Sequence, residues 1–125
     1  MRTAGLFYGP KLLRKITHPP FIFGGNTEAA MKRAARLGDG WYGVCHSTEE
    51  AAVLVKHLRE IEKSYRRGNP LEISVVIGAV TADSVKLLSD LGVERIVGAV
   101  LREGEVPRDY IHGLHLFHDQ VMTKF

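Results

Sequence analysis

The sequence predicts an α/β fold in which a parallel sheet is built from about four alternating strand–helix units. Short apolar runs recur between segments with helical periodicity, and such alternation is typical of parallel sheets with right-handed crossovers. The run over residues 72–79 is a nearly continuous apolar strand, as expected in a sheet covered on both faces. Gly38 and Gly92 stand where two predicted helices end. We therefore expect one α/β domain over residues 1–125.

Each predicted strand leads into a helix whose start is marked by the residues before it. Asn26 or Thr27 can act as N-cap of the first helix. Ser47 and Glu50 have the spacing of a capping box at the second. Apolar residues then recur at helical period along each helix. The predicted strands cover residues 21–23, 41–45, 72–79 and 94–101, and the predicted helices begin near Thr27, Ser47, Thr81 and Pro107.

Residues 1–19 are predicted to form an irregular N-terminal arm. Gly9-Pro10 and Pro19-Pro20 interrupt regular structure there. The sequence leaves two alternatives for this arm. It is either a solvated loop or an arm that packs on a partner and thereby buries the aromatic side chains of Phe7 and Tyr8. The whole chain of 125 residues is about half of the roughly 250 residues of a (β/α)8 barrel.

Composition and charge exclude several classes of protein. The sequence has no apolar run long enough to cross a membrane and no hydrophobic region of a signal peptide at its N-terminus. The single cysteine, Cys45, excludes an internal disulfide and suits a reducing compartment. A net charge of +3 is compatible with an anionic ligand but does not indicate nucleic acid. We therefore expect a cytoplasmic protein that binds neither membranes nor nucleic acid.

The turn between the first strand and the first helix is the candidate ligand site. Because glycine lacks a Cβ, the backbone of Gly24-Gly25 can approach a ligand closely. The helix N-terminus that follows presents free N–H groups and a partial positive charge, which together suit a phosphate. The complete dinucleotide-binding fingerprint is missing, so spacing alone leaves open a simple tight turn.

The string over residues 19–43, PPFIFGGNTEAAMKRAARLGDGWYG, resembles the C-terminal part of the bacterial luciferase-like monooxygenase family. Residues 7–20 are similar to the proline-rich approach to a strand in that family, residues 85–100 to its last helix–strand unit, and residues 115–125 to its closing helix. Those proteins are flavin- or deazaflavin-dependent (β/α)8 barrels. The resemblance covers most of the chain in order and implies a partial, half TIM barrel of about four βα units.

The resemblance implies an oxidoreductase of the monooxygenase type whose coenzyme, FMN or a deazaflavin, is held by its phosphate. The chemistry of barrel enzymes lies at the carboxyl ends of the strands, which identifies the rim that would face the substrate. No catalytic residue is identified, and for His46 alone a loop histidine is favoured over a catalytic role. The implied phosphate-binding residues are Gly24, Gly25, Asn26 and Thr27, and the implied substrate-side rim residues are Cys45, His46 and Ser47.

Two expectations about single residues follow. A branched side chain at Gly25 would block close approach of a ligand, and we expect Gly25→Val to weaken anion binding while leaving the fold mostly intact. Cys45 ends a buried strand without an evident cause for a low pKa, so we expect a structural rather than a nucleophilic thiol.

The N-terminal half of the resembled barrel has no counterpart in this sequence. That half supplies much of the pocket for the flavin ring, so we expect the lone chain to be inactive, and whether it acts as an enzyme stays open. The alternative is a non-catalytic, oligomeric α/β module that binds a ligand or serves as a scaffold. Four strands leave two open edges, which predicts a homo-oligomer, with a dimer favoured, or a complementary chain that supplies the other barrel half.

No metal site is predicted. His112, His115 and His118 are spaced three apart on the last predicted helix, and neighbours at that spacing can share a metal. The three positions drift by about 120° around the helix axis, which is more than one tetrahedral site allows. Leu114 and Phe117, which interleave with the histidines, are predicted to be core residues.

Overall fold

The structure, a computed structural model, describes residues 18–98 and 109–125. Most of the predicted arm, the end of the fourth predicted strand and the polar loop after it lie outside the described residues. The strands are β1 (Ile22–Gly24), β2 (Gly40–Val44), β3 (Glu72–Ile77) and β4 (Arg95–Gly98). The helices are α1 (Glu28–Leu37), α2 (Thr48–Ser64), α3 (Ala82–Asp90) and α4 (Asp109–Gln120), followed by a 3-10 turn (Met122–Lys124).

The four strands form one parallel sheet in the order β1-β2-β3-β4. Each strand pairs with the next strand in the chain, so successive right-handed crossovers advance in one direction and place their helices on one face. A doubly wound sheet would instead reverse its strand order at a switch point. The winding is that of half a (β/α)8 barrel, and the predicted fold class is confirmed.

The core lies between the convex face of the sheet and helices α1 to α3. Trp41, Ile73 and Val75 are fully buried there. A Cβ added at Gly43 would lie 2.0 Å from the ring of Trp41, so the indole occupies the space that a side chain at residue 43 would need. Helix α1 packs on the sheet through Ala30, Met31, Ala34 and Ala35, whereas Leu37 at its end is 56% exposed.

The concave face of the sheet is open. Ile22, Tyr42, Val44 and Val97 point to this side, and they are between 39% and 61% exposed. The apolar character of the strands predicted cover on both faces. Within the described residues the helices cover only the convex face, because consecutive units wind in the same sense.

Hydroxyl caps begin the first three helices. The side chains of Thr27, Ser47 and Thr81 accept hydrogen bonds from the N–H groups of Ala30, Glu50 and Ser84, respectively. The cap of α1 is therefore Thr27 and not Asn26. At α2 the Glu50 carboxylate accepts from the N–H of His46, at 2.6 Å, one residue earlier than in a regular capping box.

Helix α4 buries less of its predicted apolar face than expected. Val121 is buried just beyond it and Phe117 is half-buried, but Leu114 is 52% exposed. The prediction that Leu114 is a core residue is therefore wrong, because in the described residues no element covers that side of the helix. None of the helices in the described ranges is long and apolar enough to cross a membrane.

Candidate functional site

Three strand-to-helix turns meet at the carboxyl edge of the sheet. Since all the strands are parallel, the turns after β1, β2 and β3 emerge on the same side and lead into α1, α2 and α3. The Asn26 side chain joins two of these turns, because its Nδ2 donates a 2.6 Å hydrogen bond to the Val44 carbonyl. All the predicted site residues therefore belong to one edge of the molecule.

Gly25 is the residue of the first turn at which the backbone disfavours any substitution. Its φ of +106° lies in the region that favours glycine. An added Cβ would also lie 2.8 Å from the Cβ of Ala30. The expectation that Gly25→Val leaves the fold mostly intact is wrong, because backbone strain and a steric clash both oppose the substitution.

Gly24 differs from its neighbour. A Cβ at Gly24 would come no closer than 3.5 Å to the Tyr42 carbonyl oxygen, an ordinary contact. Alternation along β1 directs that Cβ to the concave side, opposite to Phe23. An alanine at Gly24 would therefore reach into the space beside the turn without straining the fold.

The backbone of the first turn offers hydrogen-bond donors at the start of α1. Thr27 Oγ1 accepts the N–H of Ala30 at 3.2 Å. Within residues 18–98 and 109–125, no group accepts a hydrogen bond from the N–H of Thr27, Glu28 or Ala29. These donors, together with the helix dipole, form the polar part of the candidate phosphate site.

Charged side chains near this turn balance each other. Glu28 in the first turn of α1 pairs with Lys32, Oε1 to Nζ 2.8 Å. The hydrogen bond and the charge of Lys32 lower the pKa of Glu28, and His57 nearby acts in the same direction. An anion at this turn would therefore depend on backbone N–H groups rather than on an excess of basic side chains.

The predicted substrate-side rim divides into a buried and an exposed part. Cys45 is only 5% exposed and packs in the hydrophobic core, and its N–H donates to the Val76 carbonyl at 2.9 Å. Burial raises the pKa of the Cys45 thiol, and the Glu50 carboxylate adds to this effect. His46 and Ser47 are exposed. The rim thus presents the imidazole and the hydroxyl, whereas the thiol faces the core.

A chain of three hydroxyl groups, which the sequence analysis missed, lies beside the rim. Ser84 is buried, and its Oγ lies 2.8 Å from Thr48 Oγ1 and 2.9 Å from Thr81 Oγ1. The chain ties the start of α2 to the start of α3. The signal available in the sequence was a hydroxyl residue in or next to the first turn of each of two consecutive helices.

The cleft between the second and third turns has a volume of about 510 Å³. His46 and the hydroxyl residues line it together with two carboxylates, Glu49 and Asp83. The carboxylates already lie at the positive ends of α2 and α3. This cleft therefore suits a neutral or cationic polar group better than a phosphate.

The histidine run on α4 does not assemble a metal site. His112, His115 and His118 are exposed, and the Nδ1 of His118 lies 3.1 Å from an Asp119 carboxylate oxygen. Across the two described ranges, no three His, Cys, Asp or Glu side chains come together as metal ligands.

Comparison with known proteins finds relatives in mycobacteria. No family model matches the chain. Curated relatives include an uncharacterized protein of Mycobacterium bovis and uncharacterized proteins of two strains of Mycobacterium tuberculosis. Each is 31% identical over 112 residues, which cover 84% of this chain and 38% of the relative. The chain thus spans well under half the length of these relatives. The luciferase-like resemblance stays a prediction.

Proposed function

We propose that this chain is the coenzyme-phosphate-binding half of a luciferase-like, flavin- or deazaflavin-dependent oxidoreductase of the monooxygenase type. The observation that carries the proposal is the turn after β1, where Gly25 has a φ of +106° and leads directly into the start of α1. When bound, the coenzyme would supply the redox chemistry. This chain would hold its phosphate and would be inactive without the other barrel half.

The contacts of the turn support this role. Glycine at position 25 lets the chain bend into α1 while keeping side-chain atoms away from the space above the helix. The N–H groups of Thr27, Glu28 and Ala29 then point out of the helix start without an acceptor among the described residues. A phosphate group has three strong acceptor oxygens that match such donors.

The surroundings of the turn support a coenzyme whose ring lies toward the concave side. Gly24 leaves room beside the turn, and Tyr42 and Val44 on β2 present partly exposed apolar surface next to it. A flat aromatic ring would pack on such a surface, but one sheet face gives it only one wall. The second wall would come from the other barrel half, which the four strands of the described residues do not supply.

The second candidate is a non-catalytic module that binds a ligand or acts as a scaffold in an oligomer. The open concave face favours it, since that face can associate with protein as well as with a coenzyme. The two candidates differ in one measurable property. Only the first predicts saturable binding that depends on the coenzyme's phosphate.

The experiment is calorimetric titration of the purified chain with FMN, with riboflavin and with a phosphorylated deazaflavin coenzyme. Riboflavin carries the same ring as FMN but has no phosphate, so the proposal predicts that FMN binds at least about tenfold more tightly, a difference of about 1.4 kcal/mol. Equal affinities for FMN and riboflavin would remove the phosphate from the interaction. Absence of saturable binding by any of the three at millimolar concentration would favour the non-catalytic module.

A pair of glycine variants assigns any binding to this turn. Gly24→Ala places a methyl group beside the phosphate site at a position that the fold tolerates, and it should weaken FMN binding severalfold. Gly68→Ala is the matched control, because an added Cβ there meets no atom within 4 Å and the residue lies far from the carboxyl edge. Equal loss in both variants, or in neither, would place the coenzyme elsewhere.

A further inference from the structure

The concave face of the sheet exposes apolar side chains. The convex face of the sheet is packed against helices, whereas Tyr42, Val44 and Val97 on the concave face are 39%, 61% and 39% exposed. Ile22 on β1, which is 45% exposed, lies on the same face. The exposed apolar side chains lie on β1, β2 and β4, whereas β3 presents Glu72, the buried Ser74 and the half-buried Val76 to this face.

Both edges of the sheet carry backbone groups that point outward. The N–H of Glu94 donates to the Ile73 carbonyl, so the alternation along a strand turns the N–H groups of Arg95 and Val97 away from β3. On the other side, the Phe21 carbonyl accepts from the N–H of Asp39, so the backbone groups of Ile22 and Gly24 face away from β2. In the described sheet, β1 and β4 are therefore edge strands ready for a further parallel strand.

Helix α4 has an exposed apolar side as well. Ile111, Leu114 and Leu116 are 65%, 52% and 42% exposed. In a closed barrel, the helix after the fourth strand packs against the helix of the next unit. The exposed side of α4 is thus another surface that a following βα unit would cover.

We propose that a second copy of this chain covers these surfaces and closes an eight-stranded barrel, in which β4 of each copy pairs with β1 of the other. A two-fold axis along the barrel keeps all eight strands parallel and uses both edges of each copy, so the assembly closes as a dimer. The proposal depends on the fold alone and does not require coenzyme binding.

The count of strands in the described sheet favours a second copy as the occupant. Four strands are half of the eight that close a barrel of this kind.

The charges on the concave face permit two identical surfaces to meet. Arg95 and Glu72 both point to this side, and they pair with each other at 3.3 Å. Arg95 also donates to the Ser74 hydroxyl at 3.2 Å. Because the two opposite charges lie together within each copy, like charges do not dominate the contact when two such faces approach.

The experiment measures the mass of the purified chain in solution by sedimentation equilibrium at tens of micromolar. The proposal predicts a dimer of twice 13.9 kDa, and a clean monomer at this concentration would overturn it. Open-ended assemblies larger than a dimer would overturn the closed barrel, since they would mean that the edges pair without closing.

A matched pair of variants locates the interface. Val44→Lys puts a charge on the concave face at the carboxyl end of β2 and should give a monomer. Val53→Lys changes a valine with similar exposure, 66%, on the outer side of α2 and should remain dimeric. A dimer that survives both substitutions, or dissociates equally in both, would overturn the assignment of the concave face.

The unmodified chain provides a test that does not depend on how well the variants fold. The unfolding temperature of a dimer rises with protein concentration, because association stabilises the folded state by mass action. We expect such a rise over a hundredfold range of concentration. An unfolding temperature that stays constant over this range would overturn the proposal.

Discussion

The indole N–H of Trp41 donates a 2.8 Å hydrogen bond to the carbonyl oxygen of Gly25. Trp41 is fully buried on β2, and its ring fills the space over Gly43. The turn that we propose as the phosphate site is thus held by a side chain of the core. We therefore expect a substitution of Trp41 to disturb the proposed phosphate-binding turn and also to lower the stability of the fold.

We expect Trp41→Phe to destabilise the fold by about 2–4 kcal/mol, because it leaves a cavity and removes the donor to the Gly25 carbonyl. Urea unfolding followed by circular dichroism measures the change. Tyr42→Phe on the neighbouring, partly exposed residue is the control and should cost less than about 0.5 kcal/mol. A loss at Trp41 no larger than that of the control would mean that the indole does not support the turn.

A second prediction concerns Gly25 and Ala30. Gly25→Ala should destabilise the fold by about 1–3 kcal/mol, since it combines a positive φ with a Cβ placed 2.8 Å from that of Ala30. The clash is specific to one atom, which allows a double-mutant cycle. In the background of Ala30→Gly, the cost of Gly25→Ala should fall because only the backbone strain remains. Identical costs in both backgrounds would show that the neighbouring methyl group is not the obstacle.

The sequence predicted the fold class because the period of apolar residues and the capping residues are local signals. Thr81 and Ser47 lie where the helix starts were expected, and β3 falls within the predicted strand. Whether the helices cover one face or two depends on the order in which strands pair, and that order is not encoded in any single segment. The open concave face agrees with the half barrel that the resemblance implied, whereas the apolar strands taken alone predicted cover on both faces.

The candidate site was predicted in position but not in detail. Glycine content and spacing identified the turn at Gly24-Gly25, but they could not show that only one of the two glycines has a positive φ. The hydrogen bond from Trp41 to Gly25 and the buried hydroxyl of Ser84 join residues that are distant in sequence. Contacts of this kind depend on the tertiary packing, and no periodic pattern of residues in the sequence predicts them.

Two adjacent arginines should respond in opposite ways to substitution. Arg67 is mostly buried, and its guanidinium donates to the carbonyls of Ala35 at 2.6 Å and Gly38 at 2.8 Å, which satisfies the end of α1. Arg67→Met should therefore cost about 2–4 kcal/mol. Arg66 is exposed with a φ of 49°, so Arg66→Gly should stabilise the fold by about 0.5 kcal/mol.

Urea unfolding of the two arginine variants gives both values in one experiment. The total charge falls by one in each variant, so a general effect of charge would change both in the same direction. Equal destabilisation by the two substitutions would contradict the specific role of Arg67 at the end of α1.

The last prediction concerns the pH dependence that Cys45 brings to stability. Burial, with a smaller contribution from the Glu50 carboxylate, raises the pKa of this thiol in the folded protein. Its contribution to stability is therefore complete below the pKa of the unfolded thiol, roughly 8.5, and is lost as the pH rises from there through the folded value. The free energy of unfolding should fall more steeply between about pH 8 and pH 10 in the parent than in Cys45→Ala. The difference between the two curves removes the contributions of lysine and tyrosine, which both proteins share.

In the same pH range the native thiol should react slowly with a thiol reagent, and Cys45→Ser should retain any coenzyme binding that the parent shows. Rapid, stoichiometric labelling of the folded protein at neutral pH, or parallel pH curves for parent and Cys45→Ala, would mean that the thiol is not held protonated by the core.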